Sequence, residues 1–253
     1  MTTVTYKNIS FEYPDKVVFK NLDLTIQTGE LLGILGPSGS GKTTLTKILL
    51  GKEKVKNPQF ICEREGKKEK PELIGWTYVP QQNLLRENFS VNDMFSIYSS
   101  FHTLGKNDSR QEQEKVNEIL ESLGLLELRK KKISKLSGGE KRRVSIGIEL
   151  LSDSDFLIFD EPSSGLDAYS DFCLLRILKK LAHDKDKAII VITHKTENLV
   201  EFDQLIFLGK GIPRFTGNIR KLIKEFNDRI YVENYLSLSF AEVYKNLNDF
   251  SED

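Results

Sequence analysis

The feature that most constrains this chain is a glycine-rich loop between a predicted strand and a predicted helix. The loop fits the pattern G-x-x-x-x-G-K-[ST], and its residues are Gly36, Pro37, Ser38, Gly39, Ser40, Gly41, Lys42 and Thr43. The short apolar run Leu31–Leu35 precedes it, and helical spacing at Leu45, Ile48 and Leu49 follows it as far as Gly51. This order of strand, loop and helix predicts an α/β fold with a phosphate-binding turn.

The residue types of this loop suit the binding of phosphate groups. Glycines let backbone N–H groups turn toward an anion, and the N-terminus of the following helix adds partial positive charge. Lys42 can reach the β- and γ-phosphates of a nucleotide, the Thr43 hydroxyl can ligate magnesium, and Thr44 follows them in the predicted nucleotide-binding set. The alternative is a turn that matches the pattern by chance, and the flanking strand and helix argue against it.

A second candidate site is an acidic pair at the end of the apolar run Phe156–Phe159. Because side chains alternate along a strand, Asp160 and Glu161 are expected to diverge and to do separate work. Asp160 would hold magnesium, directly or through water, and Glu161 would polarise an attacking water as general base. The alternative is a solvated strand end, but ligands of open α/β sheets gather at the carboxyl ends of strands.

A second glycine motif, Leu136-Ser137-Gly138-Gly139-Glu140, opens another predicted helix. Ser137 and Glu140 could be a capping box with a purely structural role. The functional interpretation is a second anion-binding helix N-terminus formed by Ser137, Gly138 and Gly139. Since one chain needs a single cradle for the γ-phosphate, a second one suggests that the nucleotide of a partner chain docks here.

The remaining pattern predicts an α/β domain with two additions. Alternating apolar residues before Thr28-Gly29 predict short strands, broken at Pro14-Asp15, and the charged stretch 52–73 predicts a solvated hairpin or loop. Helical spacing from about 90 to 150, with a capping box at Ser109 and Glu112, predicts an inserted helical lobe. Residues 218–253 predict a pair of amphipathic helices, so the predicted domain is 1–217 with a helical extension.

Composition excludes several classes of function. Lys plus Arg and Asp plus Glu number 37 each, so no basic excess points to nucleic acid as a partner. The longest apolar run, Ala188 to Ile192, is too short to span a membrane, and the polar start of the chain predicts no signal peptide. Cys62 and Cys173 lack metal-ligand spacing, which favours a reducing compartment, and Cys173 is expected in the core.

These motifs together resemble the ABC-type ATPases over about residues 3–215. The resemblance rests on the order of the phosphate loop, Gln81, LSGGE, FLIFDEP, SGLD and ITH. It implies a P-loop NTPase core with a mostly parallel sheet, an N-terminal antiparallel β subdomain and an inserted α-helical subdomain. It also implies ATP and Mg²⁺ as cofactors.

The resemblance assigns roles to single positions. Tyr13 matches the aromatic residue that stacks on adenine, although it could be an ordinary strand-end tyrosine. Gln81 matches the Q-loop residue that touches magnesium and the attacking water, with Gln82 as the alternative register. Asp167 matches the D-loop that crosses a dimer seam, and His194 matches the switch histidine that contacts the γ-phosphate.

The resemblance also implies partners. Family members sandwich ATP in a head-to-tail dimer of nucleotide-binding domains and drive a membrane permease, which here would be a separate chain, with this one peripheral on the cytoplasmic face. The run Gly138–Gly147 resembles the eye-pigment and multidrug-export branch, which implies export, although His194-Lys195-Thr196 differs from that branch's His-Gln-Pro. Two alternatives are a soluble ABC ATPase acting on ribosomes or DNA and a small-molecule P-loop kinase.

Overall fold

A computed structural model describes residues 1–55, 59–64, 66–69, 74–81, 85–102, 109–209 and 212–222. The helices within these residues are α1 (Lys42–Leu49), α2 (Val91–His102), α3 (Ser109–Ser122), α4 (Gly138–Glu149) and α5 (Ala168–Asp184). The strands within them are β1 (Thr2–Tyr13), β2 (Lys16–Gln27), β3 (Leu31–Leu35), β4 (Gln59–Arg64), β5 (Lys67–Glu69), β6 (Trp76–Val79), β7 (Phe156–Asp160), β8 (Ala188–Thr193), β9 (Gln204–Gly209) and β10 (Ile212–Gly217).

The N-terminal part forms an antiparallel sheet in the order β2-β1-β4-β5. Strands β1 and β2 have 12 residues each and turn at Pro14-Asp15, so the turn was predicted correctly but the expectation of short strands was wrong. Irregular pairing between Tyr6 and Glu12 lets the hairpin continue where the apolar alternation is broken. The charged stretch contains the β4–β5 hairpin, as predicted, although Cys62 within it is buried.

The second sheet has the order β10-β9-β3-β8-β7-β6, and only β10 pairs antiparallel with its neighbour. It is therefore the mostly parallel sheet that the sequence predicts. Strand β10 was not anticipated, because Pro213 and Arg214 interrupt its apolar pattern.

Each parallel strand buries one face in one hydrophobic core and the opposite face in a second core. In β7, Leu157 and Phe159 pack toward the helical side, whereas Phe156 and Ile158 pack toward α1 and the antiparallel sheet. The same alternation holds in β3, β8 and β9. A sheet covered on both faces keeps its strand ends fixed, so the loops at its carboxyl edge start from rigid positions.

The predicted helical lobe is present as α2, α3 and α4. Gly147 of α4 allows the close contact that joins these helices, because a Cβ atom there would lie 2.5 Å from Cζ of Phe95 and 2.7 Å from Cδ1 of Leu123. The Ser109–Glu112 capping box involves a side chain outside the described part of the chain. Most of the predicted extension, residues 223–253, also lies outside it. Leu222, in the first turn after Asn218, is buried in the core.

We expect Gly147→Val to lower the free energy of unfolding by about 1–3 kcal/mol, because the added methyl groups overpack the contact with Phe95 and Leu123. Gly139→Val is the matched control, since a Cβ atom at Gly139 in the first turn of the same helix meets nothing within 4 Å. Urea titration followed by circular dichroism measures both variants. Equal losses of stability would show that helix propensity, rather than packing, determines the cost.

Among the described residues, no helix combines the length and the apolar character needed to cross a bilayer.

Candidate nucleotide site

The glycine-rich loop leaves β3 and enters α1 through backbone conformations that favour glycine. Gly39 and Gly41 have φ values of 79° and 105°. A Cβ atom on Gly36 would lie 2.5 Å from the Ser40 Oγ atom and 2.6 Å from the backbone oxygen of Leu208. The loop is therefore packed tightly against β9, which holds its backbone N–H groups in a fixed arrangement.

Lys42 is the first residue of α1, and its ammonium group lies over the loop. Its Nζ atom donates to the backbone oxygens of Gly36 at 2.6 Å and Pro37 at 3.0 Å. Burial lowers the pKa of Lys42, while the nearby carboxylates of Glu161 and Asp160 act in the opposite direction. The cation therefore lies between the loop and the acidic pair at the end of β7.

Asp160 ends β7 and is held by a tyrosine of the neighbouring strand. The Tyr78 hydroxyl donates to Asp160 Oδ2 at 2.8 Å. The pKa of Tyr78 is raised to about 12 by burial and by this hydrogen bond. The tyrosine therefore stays a neutral donor at physiological pH, and it fixes the position of one carboxylate oxygen of Asp160.

Glu161 lies just beyond β7 in the left-handed region, with φ of 47°. The direction of its side chain is therefore set by this turn and not by the alternation of side chains along a strand. The expectation that strand alternation separates Glu161 from Asp160 was wrong, because β7 ends at Asp160. A non-glycine residue there costs about 1–2 kcal/mol. Glu161 N donates to the oxygen of Ile192 at 2.8 Å, and Glu161 Oε1 lies 2.7 Å from His194 Nδ1. The switch histidine and the predicted general base thus form a direct pair.

A first cleft, of about 720 Å³, brings most of the predicted site together. The predicted residues that line it are Tyr13, Pro37, Ser38, Gly39, Lys42, Gly41, Thr43, Thr44, Gln81, Asp160, Glu161 and His194. Sequence reasoning missed Lys16, Val18 and Ile192, which also line it. There was little indication in the sequence that these three residues line a site, because each belongs to an ordinary alternating or apolar strand pattern.

Two of these lining residues, Gln81 and Tyr13, have side-chain contacts of their own. Gln81 follows β6, and its Nε2 atom donates to Ser164 Oγ at 3.0 Å. Tyr13 ends β1, packs edge-on against Phe11, and donates weakly to Glu53 at 3.4 Å. Stacking on adenine and contact with magnesium remain predictions for these two residues. The alternative residue Gln82 lies outside the described part of the chain.

A second, separate cleft of about 430 Å³ contains the other glycine motif. Ser137 caps α4, and the capping box with Glu140 is complete, with distances of 3.2 and 2.7 Å. Gly138 and Gly139 follow at the surface, and Asp167 lines the same cleft. The structural interpretation of Ser137 and Glu140 is thus confirmed, and the binding of a partner's nucleotide stays a prediction.

Two residues that line the second cleft differ from expectation. Asp167 caps α5, and its carboxylate accepts hydrogen bonds from the N–H and hydroxyl groups of Ser170 at 2.9 and 2.6 Å. This local role was not anticipated for the residue predicted to cross a dimer seam. Cys173 was expected in the core, but it is half-buried and lines the cleft. The other members of its apolar face, such as Leu174 and Leu178, turn inward and leave it at the edge.

The residues present fit ATP with magnesium. The Ser40 Oγ atom is buried in the loop without a hydrogen-bond partner, as a donor near phosphate oxygens would be. Thr43, Gln81 and Asp160 supply hydroxyl, amide and carboxylate oxygens, which suit a magnesium ion that also binds phosphate. The fold and the first cleft therefore define a P-loop nucleotide-binding protein of the α/β class.

Comparison with known proteins identifies the family. The family model for ABC transporters matches residues 19–164. The manganese transport system ATP-binding protein MntB of Halalkalibacterium halodurans is 33% identical over 217 residues, which are 83% of this chain and 84% of that protein. The energy-coupling factor transporter ATP-binding protein EcfA1 of Fusobacterium nucleatum is 32% identical over 263 residues, covering 97% and 95%. The chain belongs to the ABC transporter family of ATP-binding proteins.

Solved structures agree with this fold. An ATP-binding cassette of an ABC transporter in its ADP conformation superposes with a TM-score of 0.74 at 22% identity, covering 97% of this chain and 99% of that one. As a member of the family, the chain is an ATPase that uses ATP with Mg²⁺. The sequence-based predictions of family, fold class, ATPase activity and cofactors are therefore confirmed.

Proposed function

We propose that this chain is the ATP-hydrolysing subunit of a transporter whose membrane-spanning permease is a separate protein. The observation that carries the proposal is the first cleft, where the phosphate loop, the acidic pair, Gln81 and His194 meet. The family and the names of both relatives, a manganese transport system and an energy-coupling factor transporter, support a role in transport.

The residues of the first cleft have distinct proposed roles. Lys42 and the loop N–H groups bind the phosphates, and Thr43, Gln81 and Asp160 hold magnesium, which neutralises phosphate charge when bound. Glu161 accepts a proton from the attacking water, while His194 orients the Glu161 carboxylate through the 2.7 Å contact. Tyr13 provides an aromatic face for the adenine ring.

The second cleft supports a head-to-tail dimer of two nucleotide-binding subunits. Ser137 and the surface glycines Gly138 and Gly139 begin α4 there, with its positive helix end directed outward. In this arrangement the second glycine motif of one copy, residues 136–140, which we name the signature loop, covers the ATP bound to the other copy. Asp167 lies beside the seam. A single chain holds both halves of the composite site but not in one place, which is why a partner is needed.

The direction of transport and the cargo are finer proposals. The resemblance of the run Gly138–Gly147 to the eye-pigment and multidrug-export branch favours export. The relatives' names speak only of a manganese transport system and an energy-coupling factor transporter. Reconstituted vesicles with outward-facing ATPase subunits distinguish the directions. Under our proposal they accumulate cargo inside when ATP is added; depletion of preloaded cargo would indicate an importer.

We expect a tagged chain, purified from gently solubilised membranes of its native cell, to bring down one polytopic membrane protein in near-stoichiometric amount. This result would identify the permease, and the tag expressed alone is the control. Recovery in the soluble fraction with ribosomes or nucleic acid would contradict the proposal and support the soluble ABC ATPase instead. A steep fall in the affinity of that complex with rising salt concentration would add to this support.

A further inference from the structure

The segment that follows Glu161 is held by a buried arginine from α4. Arg142 is only 4% exposed. Its Nε atom donates to the backbone oxygen of Pro162 at 2.8 Å, and its Nη1 atom donates to Pro80 at 2.9 Å and Gln81 at 3.2 Å. One guanidinium therefore joins α4, the segment after β7 and the segment after β6.

A second cation binds the same segment. Lys195 follows the switch histidine, and its Nζ atom donates to the backbone oxygens of Ser163 at 2.9 Å and Leu166 at 3.3 Å. Its own N–H donates to the Thr193 hydroxyl at 3.1 Å, which fixes the start of the side chain. Arg142 and Lys195 thus bind three backbone oxygens within the six residues Glu161–Leu166, a segment we name the base loop.

The base loop needs such support because of its first residue. Glu161 has φ of 47°, a conformation that a glutamate does not prefer and that persists only where the surroundings determine it. Hydrogen bonds from charged donors are stronger than neutral ones, and both cations lie in half-buried or buried positions where water competes less. Arg142 and Lys195 therefore support the backbone next to Glu161, although neither of them lines the first cleft.

We propose that Arg142 and Lys195 are positioning residues for ATP hydrolysis, which hold the base loop and thereby the Glu161 carboxylate in its working geometry. The proposal rests on the proposed role of Glu161 as general base. Because Arg142 of α4 donates to the backbone oxygens of both Pro162 and Gln81, one side chain connects α4, the base loop and the segment after β6.

The test of Lys195 is a comparison of Lys195→Met, Lys195→Arg and Lys187→Met by steady-state ATPase kinetics. We expect Lys195→Met to lower kcat about 10- to 100-fold with KM for ATP within about threefold, because a small misplacement of a catalytic group has effects of this size. Lys195→Arg keeps a cationic donor and should recover most of kcat. Lys187 is the matched control, a half-buried lysine that donates to the Ser154 oxygen at 2.7 Å far from the base loop, and its variant should keep normal kcat.

Arg142 needs a stability measurement beside the kinetics, because removing a buried arginine leaves three backbone oxygens without this donor. Arg142→Lys retains the charge, and thermal unfolding identifies variants that remain folded at the assay temperature. A folded Arg142→Lys variant with kcat lowered and binding of a fluorescent ATP analogue unchanged supports the proposal. An unchanged kcat in folded Arg142→Lys and in Lys195→Met would overturn it.

A double-mutant experiment separates this proposal from the assignment of Glu161. If Lys195 acts only through Glu161, then Lys195→Met added to Glu161→Gln changes the residual turnover less than about twofold. A further large drop would show that Lys195 acts on another part of the reaction and would refute the positioning role. Failure of the Glu161 assignment looks different, because Glu161→Gln alone would then turn over ATP near the wild-type rate.

Discussion

Glu161→Gln is expected to bind ATP normally and to hydrolyse it at least ~100-fold more slowly, which is the usual contribution of a general base. The amide keeps the size of the side chain and a contact with His194, but it cannot accept the proton of the attacking water. Phosphate release and binding of a fluorescent ATP analogue measure the two effects separately. Near-normal turnover in this variant would remove Glu161 from the catalytic role.

The control for this prediction is Glu197→Gln, which neutralises an exposed glutamate that does not line the first cleft. It should hydrolyse ATP at the normal rate. If both variants were equally slow, the loss would reflect the change in net charge or stability and not the chemistry at Glu161.

Lys42→Ala is expected to weaken ATP binding by at least ~10-fold, because charge-assisted hydrogen bonds contribute about 1.5–3 kcal/mol. The variant loses the cation that lies between the loop and the acidic pair, and it also loses the donors to the Gly36 and Pro37 oxygens. Equilibrium titration with a fluorescent nucleotide measures the change.

Lys47→Ala is the matched control for Lys42, since it removes an exposed lysine from the same helix outside the first cleft. Its nucleotide affinity should stay within about twofold of the unmodified protein, as expected for an exposed charge. Equal affinities in the two variants would contradict the assignment of Lys42 to the phosphates.

The sequence predicted which residues share the first cleft where those residues lie at the end of a parallel strand. The phosphate loop and His194 follow parallel strands, and Asp160 is the last residue of another. Parallel strands in one sheet present their carboxyl ends at one edge. Order along the chain was therefore enough to place these residues in one cleft. The second glycine motif is separate for the same reason, because it opens α4 in the inserted lobe and follows no strand.

The support around Glu161 could not be read from the sequence. Lys141, Arg142 and Arg143 are three adjacent basic residues with no distinguishing pattern. Successive helix residues point about 100° apart, so Lys141 reaches Glu87 at the surface while Arg142 turns inward. Which of the three basic residues is buried depends on where the base loop packs against α4. The spacing of residues along the sequence does not predict that tertiary contact.

The position of the helical lobe along the chain determines which parts of this protein can change in evolution without altering the sheet. All of α2, α3 and α4 lie between β6 and β7, which are adjacent parallel strands about 4.8 Å apart. Topologically, the whole lobe is a single crossover connection. Insertions, deletions or replacement of its outer surface would thus leave the strand order of the sheet intact. The outer surface of the lobe can therefore vary in evolution independently of the residues that line the first cleft.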